Sequence, residues 1–277
     1  MVCVVPYSML KSQRTPTCLS DAIVYLSDPD NAIRFLAELR WPDGVKCPHC
    51  GADDPGFLAT RRIWKCRAKP CRKQFSIKVG TIFEDSPLGL DKWLPALWLV
   101  ANAKNGISSY EVGRALHVTQ KTAWFMLGRI RAAMAHAGGD PLSGAGEIDE
   151  AFLGGKVKNM RISKRRRLVP GDARGSHYRT TSPVIGALER PKGKNGVSRV
   201  HPNGIENFWS LLKRTIRGTY ISVDPFHVPR YLSEQVFRCN NRRASDGERF
   251  VAVIDSLLGK RLTYRDLIGA DLTPATT

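Results

Sequence analysis

The sequence predicts an α/β protein built from several small modules rather than from one uniform domain. Two closely spaced cysteine pairs lie in the first third of the chain, within residues 47–50 and 66–71. Two segments of helical periodicity separated by a short turn follow, and the second half carries short apolar strands around an acidic segment. A chain of 277 residues can bury a core and hold one or two domains with added modules.

Charge and cysteine usage narrow the function classes. The net charge of +18 predicts a polyanionic partner, either nucleic acid or an anionic membrane surface. No apolar run is long enough to span a bilayer, and residues 1–10 lack the charged start and apolar core of a signal peptide. Four of the seven cysteines form two close pairs, which is typical of a metal site in a reducing cytoplasm. Cys3, Cys18 and Cys239 are expected to be free thiols.

A short helix is predicted to precede the cysteine pairs. From Asp28 to Leu39 apolar residues recur at helical spacing, and either Asp28 or Asp30 can cap the start of this helix. The turn residues 41–44 end it. Residues 1–19 have no clear period and are predicted to be a loose tail.

The cysteine pairs predict a structural zinc ribbon within residues 20–85. A hairpin-sized segment, residues 51–65, separates the two pairs, so four thiolates can surround Zn²⁺ as a tetrahedron. The four ligands are Cys47, Cys50, Cys66 and Cys71. The spacing disfavours the alternative of four buried cysteines without a metal, and His49 is interpreted as a bystander. Four thiolates leave no open coordination position, so the zinc is expected to be structural and the ribbon to depend on it.

Strands and helices can be placed around this site. Ile63–Lys65 and Phe75–Gly80 are predicted to be strands of the ribbon. Residues 90–137 are predicted to be helical, and the strongly apolar segment Asp91–Ala103 is interpreted as core rather than as a surface for stacking bases.

A helix-turn-helix is predicted at the end of this helical region. Ser108 or Ser109 caps a first helix that runs to Leu116, and Thr119 caps a longer second helix. In DNA-binding proteins of this kind, side chains near the start of the second helix reach the major groove. The candidates for DNA contact are Thr119, Gln120 and Lys121. Two helices joined by a short turn also occur in proteins that never contact DNA, but the net charge favours the DNA-binding interpretation.

An acidic strand is predicted after a linker and domain boundary at residues 137–141. Glu147–Leu153 suits a strand, in which neither Asp149 nor Phe152 is expected to share a face with Ile148. We therefore expect the acid on one side of this strand and apolar packing on the other. A carboxylate at a strand beside a surface that attracts phosphate suggests Mg²⁺-assisted phosphoryl transfer on nucleic acid.

A basic run follows this strand at residues 156–167. It contains no acid and is interpreted as a phosphate-contacting segment, the alternative being a solvated loop. Its densest part consists of Lys164, Arg165, Arg166 and Arg167. Pro183–Leu188 is predicted to be a second short apolar strand.

A long amphipathic helix is predicted at Asn203–Thr219. Its apolar face consists of Ile205, Phe208, Trp209, Leu212 and Ile216. Glu206 and Lys213 lie seven residues apart, almost two turns, on the opposite face, where the carboxylate can help to hold a metal and the lysine can bind phosphate. The alternative is that Asn203 and Glu206 form a capping box that satisfies the first backbone N–H groups.

Two long motifs carry a resemblance to a known family. They are Glu-Ile-Asp-Glu-Ala-Phe-Leu-Gly-Gly-Lys at residues 147–156 and His-Pro-Asn-Gly-Ile-Glu-Asn-Phe-Trp-Ser-Leu-Leu-Lys-Arg-Thr-Ile-Arg-Gly-Thr-Tyr at residues 201–220. Following a zinc ribbon and a helix-turn-helix, they closely resemble bacterial insertion-sequence transposases of the IS1595 family, whose catalytic domain is called ISXO2-like. Segments 230–235 and 237–242 are also similar to that family. The resemblance covers roughly residues 20–245.

The resemblance implies a ribonuclease-H-like domain at residues 145–245 that cuts and joins DNA with Mg²⁺ or Mn²⁺. Asp149 then corresponds to the first catalytic acid, either Asn203 or Glu206 to the third catalytic position, and Lys213 to the basic residue two turns on. Arg214 is a further candidate for DNA contact. The implied partner is DNA, at the terminal inverted repeats of the element, with a possible homo-oligomer and no membrane. The implied location is the bacterial cytoplasm, in association with the nucleoid.

One departure from the family pattern concerns the second catalytic aspartate. It is expected between the second apolar strand and the helix that begins at Asn203, yet residues 189–202 contain no aspartate and are too few for a further strand with its crossover. Residues 198–201 look like the join left by an internal deletion, and Glu189 and Asp172 are poor substitutes. We therefore expect an incomplete ribonuclease-H-like domain and a catalytically defective transposase.

Two other functions remain possible from the sequence. One is a non-catalytic DNA-binding remnant that still docks on the ends of the element. The other is a transcription regulator, which has no use for the motifs around Asp149 and Glu206. Residues 246–277 are predicted to be a C-terminal helical tail and receive no function.

Overall fold

The computed structural model describes residues 15–135, 146–154, 162–163, 181–189, 203–221 and 223–269. These residues form a mixture of helices and small sheets, which confirms the predicted α/β class. They separate into two compact units. The first contains residues 15–104, 109–135 and 241–269, and the second contains residues 105–108 together with the described residues between 146 and 240. None of the described helices is both long enough and apolar enough to cross a membrane.

The elements follow one another in the order helices, ribbon, helices, hairpin, helices. In the first half they are α1 (Leu19–Leu26), α2 (Pro29–Arg40), β1 (Gly56–Leu58), β2 (Ile63–Lys65), β3 (Gln74–Phe75), α3 (Leu90–Asn102), α4 (Ser109–Leu116) and α5 (Gln120–Met134). In the second half they are β4 (Gly146–Gly154), β5 (Thr181–Glu189), α6 (Asn203–Thr215), α7 (Val228–Asn240), α8 (Asp246–Leu257) and α9 (Tyr264–Ile268).

Helix α2 begins where the sequence predicted, and Asp28 is its cap. The side chain of Asp28 accepts the backbone N–H of Asp30 at 2.8 Å, and Pro29 occupies the first helical position. Pro29 suits this position because its missing N–H would have no partner there in any case.

The ribbon is a three-stranded antiparallel sheet in the order β1-β2-β3. The predicted strand Ile63–Lys65 is confirmed. The predicted strand Phe75–Gly80 is wrong, because β3 ends at Phe75 and residues 77–80 form turns. Nη1 of Arg40 in α2 donates to the carbonyl oxygen of Ile77 at 2.7 Å. This oxygen therefore accepts a hydrogen bond from a side chain and not from a neighbouring strand.

Helix α3 is core, as predicted, and helix α8 packs on it in the first unit. Trp93 and Trp98 of α3 are buried. Phe250 of α8 stacks on Phe35 of α2 with ring centroids 5.9 Å apart and contacts Trp98 at 5.1 Å. The chain therefore closes the core of its N-terminal modules with a helix from near its C-terminal end.

Helices α4 and α5 lie at the predicted places and are joined by residues 117–119. His117 has a φ of 51°, in the left-handed region, which turns the chain sharply between the helices. The Thr119 side chain accepts the N–H of Thr122 at 3.2 Å and so caps α5 as predicted. The identification of this helix pair as a DNA-binding helix-turn-helix stays a prediction.

The second unit is built on an antiparallel pair of strands, β4 and β5, which we call the hairpin. Helix α6 packs on one face of the hairpin. Both strands confirm the sequence prediction, and their register places Asp149 opposite Gly186. The core of this unit contains Ala151, Leu153, Ile205, Trp209 and Leu212. A π-helical segment, Ile216–Tyr220, continues α6. The ribonuclease-H-like assignment of this unit stays a prediction.

The expected division of β4 into an acidic face and an apolar packing face is wrong. Ala151 and Leu153, which share the face of Asp149, are buried, whereas Ile148 on the other face is 77% exposed. The reason is that α6 covers the face that carries the acid, so Asp149 lies beside the packing and not away from it. Phe152 shares the exposed face of Ile148, contrary to the prediction, because side chains alternate along the strand.

Candidate functional site

The four predicted zinc ligands are brought together by the ribbon. The sulfur atoms of Cys47, Cys50, Cys66 and Cys71 all lie within 4.8 Å of one another. Cys47 Sγ is 3.9 Å from Cys71 Sγ, and Cys50 Sγ is 3.5 Å from Cys66 Sγ. Zinc–sulfur bonds of about 2.3 Å in a tetrahedron place the sulfurs about 3.8 Å apart, so the residues present fit structural Zn²⁺.

Two turns hold the cysteines in place. The N–H of Gly51 donates to the carbonyl of Cys47 at 2.8 Å, and Gly51 has a φ of 72°, which favours glycine there. The N–H of Cys71 likewise donates to the carbonyl of Ala68 at 3.1 Å. His49 lies inside the first turn, and its ring is 6.4 Å from that of Phe75. His49 is not part of the cysteine group, in agreement with its interpretation as a bystander.

Without a metal, the pKa values of Cys47 and Cys50 are shifted in opposite directions. Burial opposes ionisation of Cys47, but the backbone N–H groups of His49 and Cys50 outweigh it, and the pKa of Cys47 is lowered to about 7. The N–H of Ala52 favours the Cys50 thiolate, but desolvation and the three neighbouring sulfurs outweigh this bond and raise the pKa of Cys50 to about 12. The ribbon therefore holds protons that a bound Zn²⁺ must displace.

Asp149 lies at the middle of β4 on the face that α6 covers. It is half-buried and pairs with Gly186 across the two strands. A Cβ atom at Gly186 would lie only 2.6 Å from Cζ2 of Trp209, so the indole packs directly on this position. Trp209 is 4% exposed, and its Nε1 has no hydrogen-bond partner within the part of the chain that the structure describes.

Glu147 connects this face of β4 to the start of α6. Its Oε2 accepts the backbone N–H of Ile205 at 2.9 Å, and a Cβ atom at Gly204 would lie 3.3 Å from both carboxylate oxygens. A carboxylate in this position satisfies a first-turn N–H and complements the positive end of the helix dipole. Sequence reasoning missed this role, although Glu147 stands two residues before Asp149 and so shares its face of the strand.

The predicted site residues of α6 lie at different depths. Glu206 and Arg214 are exposed and Lys213 is half-buried, whereas Ile205, Trp209 and Leu212 face the hairpin. Asn203 is the first residue of α6, but its side chain is outside the described residues. The choice between a capping box and a catalytic pair at Asn203 and Glu206 therefore stays open.

Within the described part of the chain, no second group of metal ligands accompanies the cysteines. Among the described residues, the four cysteines form the only group of three or more Asp, Glu, His or Cys side chains close enough to share an ion. Asp149 and Glu206 are thus not gathered with a third ligand there. The basic residues Lys164, Arg165, Arg166 and Arg167 lie outside the described residues.

The predicted DNA contacts at the start of α5 have distinct surroundings. Thr119 is engaged in capping, and its hydroxyl also lies 2.8 Å from that of Thr122. The Gln120 side chain donates through Nε2 to the Ser109 hydroxyl at 2.9 Å, which ties α5 to α4. Lys121 is exposed. The roles of all three in DNA contact stay predictions.

The protein families and the relative that are similar to this chain are all connected with transposable elements. Residues 27–74 match the family described as a transposase zinc-ribbon domain, and residues 192–240 match the ISXO2-like transposase domain. The chain is 28% identical over 169 residues to an uncharacterized protein in transposable element ISH50 from Halobacterium salinarum. That similarity covers 60% of this chain and 56% of the relative, so the chain spans little more than half of the relative's length. No solved structure matches the chain.

Proposed function

We propose that this chain, which carries the zinc-ribbon and ISXO2-like transposase domains of the IS1595 family, binds the DNA ends of its insertion element without cutting them. It is a transposase by descent whose second unit has lost the second catalytic aspartate.

DNA binding is supported by charge and by the first unit. The net charge of +18 favours a polyanion, and each phosphate that Lys or Arg neutralises releases condensed counterions. The first unit contains both the thiol cluster and the capped helix α5, and a helix of this kind can dock in the major groove of a duplex. The exposed Lys121 at the start of α5 is the first candidate for a base or phosphate contact.

The observation that carries the catalytic defect is the absence of an aspartate at the second catalytic position, between β5 and α6. Two-metal phosphoryl transfer requires carboxylates on both ions. The described residues gather no carboxylate group of that kind, and Glu147 already accepts the N–H of Ile205. Residues 189–202 contain no aspartate to supply one. These residues do not fit a catalytic Mg²⁺ pair, so no cutting step is assigned to them.

A paired binding and cleavage assay tests this function. The full chain is incubated with DNA that spans the borders of its own element, with Mg²⁺ or Mn²⁺, and binding and strand breaks are measured on the same samples. We expect salt-sensitive binding and no cutting, with equal results for wild type and Asp149→Ala. Metal-dependent cutting that disappears in Asp149→Ala would overturn the proposed defect. Absence of any DNA binding would overturn the function itself.

A further inference from the structure

A cavity of about 680 Å³ opens in the first unit at the start of α5. Three aromatic side chains, Trp124, Phe125 and Tyr264, line it. Its polar lining consists of Ser86, Gln120, Lys121 and Thr122. Its volume lies within the range of about 300–1,000 Å³ that is usual for small-ligand pockets and is ample for one nucleotide.

Trp124, Phe125 and Tyr264 form the aromatic wall of the cavity, and the packing of α9 on α5 positions Tyr264 in it. Leu267 of α9 is fully buried, and a Cβ atom at Gly128 would lie 2.9 Å from its Cδ1, so the two helices meet closely at this glycine. The attachment brings Tyr264 to Phe125, with ring centroids 6.2 Å apart and planes 37° from parallel. Because Tyr264 is nonetheless 58% exposed, its ring is presented to solvent rather than packed away.

Exposure separates these aromatic residues from the core of the same helix. Met126 and Leu127 of α5 are fully buried, whereas their neighbours Trp124 and Phe125 are only half-buried. Aromatic residues at helical spacing usually fill a core. Here the core positions are already taken by Met126 and Leu127, so Trp124 and Phe125 border a space instead of filling one.

The charge around the cavity favours an anionic ligand. Lys121 lines it, and among the described residues no Asp or Glu does. The guanidinium of Arg129 lies 4.4 Å from the centroid of the Phe125 ring. Arg129 is buried, and its Nη1 donates to the carbonyl of Glu84 at 2.8 Å. The carboxylates of Asp85 and Glu84 act on this guanidinium, so Arg129 supports the Phe125 ring and Lys121 is the cation that lines the cavity.

We propose that this cavity receives one unstacked nucleobase of a DNA strand, which stacks on the aromatic wall while its phosphate stays near Lys121. Aromatic faces accept any base, and proteins that take a base out of a duplex hold it by such stacking. The inference rests on the proposed DNA binding and adds to it a preference for distorted or unpaired DNA.

Affinity for two duplexes of the same sequence tests the proposal. One duplex is fully paired, and the other has an abasic site opposite a single adenine, so that this base is easily unstacked. We expect the full chain to bind the second duplex about tenfold more tightly, because its unpaired adenine can stack on the aromatic wall without the loss of a base pair. Equal affinity of the wild-type chain for the two duplexes would overturn the pocket while leaving DNA binding in place. Failure to bind either duplex would overturn both.

Matched variants locate the effect. Tyr264→Leu and Trp124→Leu are expected to bring the affinity ratio of the two duplexes close to one, whereas Tyr264→Phe keeps the ratio because stacking needs no hydroxyl. Tyr110→Leu is the control, since Tyr110 is a 70% exposed aromatic residue of α4 that does not line the cavity. Retention of the full ratio in both leucine variants, with unchanged circular dichroism, would contradict the assignment.

Discussion

Glu147 joins a strand to a helix through one hydrogen bond, and this bond fixes where α6 begins on the hairpin. Its acceptor oxygen lies 2.9 Å from the N–H of Ile205, and the neighbouring Gly204 leaves room for the carboxylate. A Cβ at position 204 would also lie 2.8 Å from Cδ2 of Leu188. The hydrogen bond between Glu147 and Ile205 therefore depends on Gly204 as well as on the Glu147 carboxylate.

Removal of this carboxylate is expected to destabilise the second unit. Glu147→Ala should lower the free energy of unfolding by about 0.5–2 kcal/mol, as loss of a helix-capping side chain does. Glu147→Gln keeps an acceptor and loses only the charge at the helix start, so a smaller loss of about 0.3–1 kcal/mol is expected. Urea unfolding followed by circular dichroism measures both. Glu150→Ala is the control, since Glu150 is exposed on the other face of β4, and an equal loss in this variant would contradict the capping role.

Substitution of one buried zinc ligand is expected to abolish metal binding. Cys66→Ser replaces a thiolate by a hydroxyl, and the remaining three thiolates no longer close the tetrahedron. Zinc measured by mass spectrometry should fall from about one ion per chain to near zero. Because binding of structural zinc drives the folding of such modules, the backbone amides of β1, β2 and β3 should also exchange faster with deuterium.

Cys18→Ser serves as the control for this substitution. Cys18 is exposed and does not belong to the four-cysteine group. Full zinc content in Cys66→Ser, or loss of zinc in Cys18→Ser, would show that the ion is held elsewhere.

The zinc ribbon should release its zinc as the pH falls. Zinc must displace protons from the thiols, and the pKa of Cys50 is raised to about 12 while that of Cys47 is lowered to about 7. Apparent affinity should therefore rise from about pH 6 to about pH 8, by about tenfold per pH unit for each proton displaced. Competition with a zinc indicator measures this affinity. An affinity independent of pH would contradict coordination by four thiolates.

Contact between the hairpin and α6 depends on the small residue opposite Asp149. Gly186→Ala would place a Cβ 2.6 Å from the Trp209 ring. Overpacking of this kind destabilises by about 1–3 kcal/mol, so amides of β5 and α6 should exchange faster in deuterium-exchange mass spectrometry. Gly218→Ala is the control, since no atom of the described residues lies within 4 Å of a Cβ there. Equal exchange in the two variants would show that Trp209 does not press on the hairpin.

Periodicity predicted α2, α3, α4, α5, α6 and the C-terminal helices because it depends on neighbours along the chain, whereas α1 and α7 were not predicted. The caps Asp28 and Thr119 and the bounds of α4 and α5 could be placed from sequence. The covered face of β4 could not, because it depends on where α6 packs and not on the strand itself. Ile148 therefore suggested packing but is exposed, and the bond from Glu147 to Ile205 links residues 58 positions apart.

For the chain as a whole, features that depend on neighbouring residues could be predicted from the sequence, whereas contacts between residues far apart in the sequence could not. The four cysteines were predicted from spacing alone, since close pairs of ligands fold locally. The stacking of Phe250 on Phe35 was not, because these rings come from opposite ends of the chain. The cavity at α5 was missed for the same reason, since Tyr264 reaches it only through the burial of Leu267.

Net charge makes DNA binding by the whole chain sensitive to salt. With +18 charges, the full chain should lose affinity steeply as salt rises, and the logarithm of the association constant should fall linearly with the logarithm of salt concentration. Six to ten phosphate contacts correspond to a loss of about 10³–10⁵ between about 50 and about 200 mM salt. Fluorescence anisotropy on duplex DNA measures the slope. Lys121→Ala should lower affinity, and Lys92→Ala, a lysine outside the predicted contacts, should leave it unchanged. A flat salt dependence would contradict binding through phosphates.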